Sequence, residues 1–140
     1  MAVNLKETLV IGISSRALFV LEKENDIFER SGIDEYQKYQ EEHEDTPLSK
    51  GTAFYLIESL LRLNDKSKGR HLIEVVVMSK NSPDTGLRVL NSIKHYNLHI
   101  SRSAFTSSVS LVNYVDSFDV DLFLSKSEGD IQDIIFLGLI

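Results

Sequence analysis

Three short runs of this chain are apolar at nearly every position, not at every second one, Leu9–Ile13, Leu72–Met78 and Val120–Leu124, and a weaker fourth, His99–Phe105, reads as a buried strand with them. A strand with one wet face alternates in polarity, whereas a strand apolar on both faces has to be covered twice. Valine and isoleucine dominate the first two runs, which suits enclosed, pleated strands. Helical patterns separate the later runs. Pro83 can open one helix in its first turn with Ser82 as N-cap, and Leu87, Leu90, Ile93 and Lys94 continue it. Val109–Phe118 reads as a shorter helix, and Ser127 caps a last one whose Ile131, Ile134 and Ile135 share a face. This alternation predicts an α/β fold, a three-layer, Rossmann-like parallel sheet with right-handed crossovers.

The first connection breaks the rhythm. Nearly sixty residues separate Ile13 from Leu72, far more than a crossover helix needs. Glu22–Glu44 is highly charged with a helical pattern (Ile27, Phe28, Ile33, Tyr36, Tyr39), and Gly32 divides it into two helices. The Asp45–Pro47 turn ends it. Gly51–Leu63 then supplies the crossover helix, with Phe54, Ile57, Leu60 and Leu61 inward. The expectation is one domain over residues 1–140, with a helical cap inserted at about residues 20–50 over the carboxyl edge of the sheet.

Composition removes several classes of function. A formal net charge of −6 argues against a nucleic-acid surface, which needs a basic face. The absence of cysteine excludes disulfides and thiolate chemistry. No window approaches a membrane span, and Asn4, Lys6 and Glu7 interrupt any signal-peptide pattern, so the cytoplasm is the expected location.

Ligands of parallel sheets sit at strand carboxyl ends. After the first strand comes Ser14-Ser15-Arg16, after the second Ser79-Lys80-Asn81. Hydroxyls, amides and cations of this kind can all donate to a phosphate. The same residues can also be a turn whose arginine pairs with the acidic insertion, followed by an ordinary helix cap. His43-Glu44-Asp45 offers a metal corner or a general base. No second histidine stands at i+4 from it, however, and His43, His71, His95 and His99 are scattered. The acid runs Glu41-Glu42 and Glu44-Asp45 read as a solvated helix face. No Gly-x-Ser-x-Gly elbow supports a serine triad.

Several longer pieces occur together: Ile13–Phe19, Tyr39-Gln-x-x-His-Glu44, Lys50-Gly-x-Ala-Phe54, Val77-Met-Ser-x-Asn81, Asp84-x-Gly-Leu-Arg-Val-Leu-Asn-Ser-Ile-x-His-Tyr96 and Asp121–Ser125. In order and content they resemble the amino-terminal part of the cytosolic 5′-nucleotidases of type I, which hydrolyse nucleoside monophosphates such as AMP with magnesium. The resemblance implies a haloacid-dehalogenase-like fold with the cap after strand 1. It also implies that the Asp-x-Asp phosphatase segment lies beyond Ile140. Carried over by position, the nucleophile falls on Ser14, the acid/base on Arg16, the hydroxyl on Ser79, the lysine near Asp116, and the acidic metal pair on Ser125 and Lys126.

Magnesium is a hard cation that favours carboxylate oxygens. Arg16 and Lys126 put positive charge where the ion would sit; at about 4 Å and an effective dielectric near 20, each contact opposes it by several kcal/mol. The near inversion of charge suggests an Arg16–Asp116 pair in place of a metal centre. The expectation is therefore a family domain without metal or catalytic residues, serving assembly, regulation or nucleotide binding. Ser14, Ser15, Arg16, Ser79, Lys80 and Asn81 are its phosphate-binding candidates. The alternative is an active magnesium-dependent nucleotidase completed by another chain or by a second nucleotidase segment. A phospho-receiver is disfavoured because Ser79 replaces the aspartate such a protein phosphorylates. The apolar stretch Ile134–Ile140 invites a homodimer.

Overall fold

The computed structural model describes residues 8–66, 71–80, 83–100, 102–107, 109–127, 129 and 131–132. The two most apolar runs become its central strands, β1 (Leu9–Ile13) and β2 (Ile73–Ser79). With β3 (Arg102–Phe105) and β4 (Leu122–Leu124) they form an all-parallel sheet in the order β3-β2-β1-β4. Ile11 lies in register with Val75 on one side and Leu122 on the other.

Both faces of the central strands are covered, as their composition requires. Ile11, Ile13, Val75 and Val77 face a core that includes Phe54, Ile57 and Leu61 of helix α4 (Phe54–Asp65) and Val89 and Ile93 of α5 (Pro83–His95). Val10, Val76 and Met78 face a second core with Leu111, Val120, Phe123 and Val115 of α6 (Val112–Ser117). Gly12 belongs to this second face; a Cβ there would meet Met78, Phe123 and Val120 at 3.0–3.1 Å. Helix α4 is the predicted crossover, with Leu60 only partly buried.

Three element starts after α5 fall later than expected, each for a local reason. Asn97 and Asp119 adopt left-handed backbones (φ 56° and 55°). The amides of the residues after them reach five back, Leu98 to the Ile93 carbonyl (3.1 Å) and Val120 to that of Val115 (3.0 Å). These closures make buried Leu98 and Val120 the apolar plugs of α5 and α6, so neighbouring strands start later than His99 and Val120. Likewise the Thr106 hydroxyl donates to the Val109 carbonyl (2.6 Å), holding a turn that delays α6 until Val112.

The long first connection opens with α1 (Ser15–Leu18), a single buried turn, followed by α2 (Glu22–Ser31) and α3 (Ile33–Glu42). Gly32, at φ 87°, separates α2 from α3 as expected. Gly51 brings the chain back against α1: its amide donates to the Leu18 carbonyl (2.9 Å), and a Cβ would stand 2.8 Å from that backbone. Ser82, Asn81, Ile134, Ile135 and the terminal apolar run lie outside the described residues; Ile131 N does donate to the Ser127 carbonyl (3.2 Å), a first helical turn. Among the described residues no helix is long and apolar enough to cross a membrane.

Candidate functional site

The chain builds the sheet outward from β1 to β2 to β3, then returns to place β4 on the other side of β1. The order therefore reverses between β1 and β4, and the crevice outside the carboxyl ends at such a reversal is where open α/β sheets hold ligands. A cleft of about 370 Å³ opens there. Its floor is Ser14, Ser15 and Arg16 after β1, Ser79 and Lys80 at the end of β2, and Ser125 and Ser127 after β4. Helices α2 and α3 supply the opposite wall, with Phe28, Ile33 and Tyr36. Of the six phosphate-binding candidates, five line this one cleft; Asn81 lies outside the described residues.

Each floor residue is fixed by a local cause. The Ser14 amide extends the ladder by donating to the Leu124 carbonyl (2.9 Å), and its Oγ accepts from Ala17 N (3.2 Å) as the N-cap of α1. Accepting leaves its hydroxyl proton to donate. Ser15 and Ser79 are buried, and their Oγ atoms lie 3.0 Å apart, linking the ends of β1 and β2. Ser125 Oγ accepts from Ser127 N (3.0 Å), shaping the turn after β4.

The expected Arg16–Asp116 pair is not formed. Asp116 is exposed on α6, while α1 is so short that the chain returns at once to put Glu22, the first residue of α2, beside Arg16. Arg16 Nη2 lies 3.6 Å from Glu22 Oε2, and Lys126 Nζ lies 3.2 Å from Glu22 Oε1. The structure thus shows the arginine paired with the acidic insertion. Arg16 Nε is buried without a hydrogen-bond partner.

A second charged group lay hidden in the sequence. Arg88 of α5 donates to Glu24 Oε1 of α2 (2.7 Å), to Gln40 Oε1 of α3 (3.2 Å) and to the Thr46 carbonyl (2.9 Å). All three side chains are buried, and Gln40 also donates to the Tyr36 hydroxyl (3.4 Å). This cluster fastens α2 and α3 to the body of the domain. One signal for it existed: Glu24 stands four residues before Phe28, and Gln40 four after Tyr36, polar groups on otherwise inward stripes.

His43 is occupied locally, with Nδ1 2.8 Å from the Tyr39 carbonyl and its ring stacked on Tyr39 at 4.0 Å. Among the described residues no three His, Cys, Asp or Glu side chains gather in a way that could hold a metal. Ser14, Arg16 and Ser125 of the cleft, with Lys126 next to Ser125, stand where the resemblance puts the nucleophile, the acid/base and the magnesium pair. Two of the four are cations, and Glu22 is shared between them. That donor set does not fit magnesium.

A family model described as 5′-nucleotidase matches residues 1–139. Among curated proteins, the chain is similar to human cytosolic 5′-nucleotidase 1B, with 28% identity over 139 residues, 96% of this chain and 23% of that protein. No solved structure matches. The chain spans less than a quarter of the length of that relative. Matched along almost its whole length by the family model, the chain belongs to the 5′-nucleotidase family.

Proposed function

We propose that this chain is a cytoplasmic, haloacid-dehalogenase-like domain that binds the phosphate of a nucleoside monophosphate without hydrolysing it. The observation that carries this reading is the composition of the strand ends at the topological switch. Ser14 and Arg16 stand where the resemblance puts carboxylates needed for hydrolysis, and the buried Ser15–Ser79 hydroxyl pair lies beside them. Hydroxyl and guanidinium donors attract a phosphate, and the carboxylate among the described lining residues, Glu24, is paired with Arg88. The apolar wall of Phe28, Ile33 and Tyr36 suits the flat face of a base.

Hydrolysis through Ser14 would need a base in reach. The cleft contains no histidine among its described lining residues, and its buried carboxylate, Glu24, is bound by Arg88. A serine held as a helix cap, without a base, is a donor and not a nucleophile. One observation favours a second reading: the relative is more than four times longer than this chain, so a further segment or chain could complete a magnesium-dependent nucleotidase.

Two measurements separate the readings. Titration with AMP and with inorganic phosphate, without magnesium and followed by amide chemical shifts, should saturate at millimolar ligand with shifts around Ser14–Arg16 and Ser79. Phosphate release from AMP with magnesium should stay at background. Turnover that disappears in Ser14→Ala would establish the second reading instead.

A further inference from the structure

Arg16 lines the cleft after β1, Lys126 stands beside the cleft residues Ser125 and Ser127 after the adjacent strand β4, and one carboxylate lies between the two cations. Glu22 gives one oxygen to each cation, Oε2 to Arg16 (3.6 Å) and Oε1 to Lys126 (3.2 Å). Two oxygens of a phosphate would bridge the same pair in the same way. Glu22 still leaves Arg16 Nε buried and without an acceptor.

The side chain is also poorly held. It is 56% exposed, and α2 does not depend on it, because the helix is anchored at buried Leu21 and by Glu24 on Arg88. The carboxylate can therefore leave the cations while the helix stays in place.

We propose that Glu22 is an internal competitor that sets the charge class of the ligand, excluding monoanions and yielding to a terminal phosphate dianion. This rests on the reading of the cleft as a phosphate site. A tethered carboxylate acts at a millimolar effective concentration, so a free monoanion of equal charge gains nothing by replacing it. A dianion brings twice the charge and a further oxygen for Arg16 Nε. The exposed ion pairs it displaces are weak ones.

The test uses the intact chain and two variants, Glu22→Gln and Glu29→Gln. Glu29 is exposed on the same helix, so its variant carries the same change in net charge. Inorganic phosphate and acetate are titrated calorimetrically without magnesium, at low salt and at a pH where phosphate is a dianion. Glu22→Gln should bind phosphate about tenfold tighter and gain measurable acetate binding, while Glu29→Gln stays within about twofold of the parent. Equal phosphate affinity in Glu22→Gln and the parent overturns the competitor role and leaves the cleft reading intact. An equal gain in Glu29→Gln overturns it as a general charge effect. Phosphate bound by none of the three proteins overturns both.

Discussion

Two arginines meet helix α2 at glutamates two residues apart, and the molecule uses them in opposite ways. Arg88 and Glu24 touch at 2.7 Å with side chains 6% and 8% exposed, and Gln40 and the Thr46 carbonyl take further donors. Arg16 and Glu22 stand 3.6 Å apart, 39% and 56% exposed, and share Glu22 with Lys126. A buried charge that loses its partner is costly, whereas an exposed pair contributes little. The first pair is a strut that fixes α2 and α3 beside the cleft. The second is a contact a ligand can replace.

The largest effect should follow from breaking the strut. Arg88→Met leaves the Glu24 carboxylate buried and unpaired and should lower stability by about 3–5 kcal/mol in denaturant unfolding. Adding Glu24→Met should recover part of that loss, since both charges are then gone; no recovery would mean that the arginine acts through packing instead. Next in size is Gly86→Ala on α5. Its Cβ would fall 2.6 Å from the Phe105 ring, so either the helix or the ring must shift, at a cost of about 1–3 kcal/mol. The smallest change in stability should come from Arg16→Ala, under about 1 kcal/mol, although this variant is expected to lose phosphate binding. Thermal melts of the three variants place them in that order or refute the contrast.

What the sequence disclosed depended on how local the cause was. Both-face apolarity located β1 and β2 to within a residue, and Gly32 marked the break between α2 and α3. Leu98 and Val120 close the preceding helices, and a reading that begins strands at His99 and at Val120 misses this because an apolar residue beside a strand looks like part of it. Their attachment to the preceding helices is made by left-handed Asn97 and Asp119, which no hydrophobic pattern records. At the site, the floor residues could be named because they follow strand ends. The partner of Arg16 could not be found by carrying over a family position: Glu22 is six residues away in sequence, and only the path of the chain after α1 brings it there. The Arg88 strut joins three separate elements, so its members could not be connected without the fold.

The central claim is that this strand-end cleft binds phosphate through Arg16 and its serine neighbours. It is tested most directly by titrating inorganic phosphate, without magnesium, into the parent chain and Arg16→Ala while following the amide signals of Ser14, Ser15 and Ser79. Saturable shifts at those residues in the parent, lost in a variant that melts at nearly the same temperature, are the predicted result. Absence of shifts in the parent, or identical binding by Arg16→Ala, would contradict the claim.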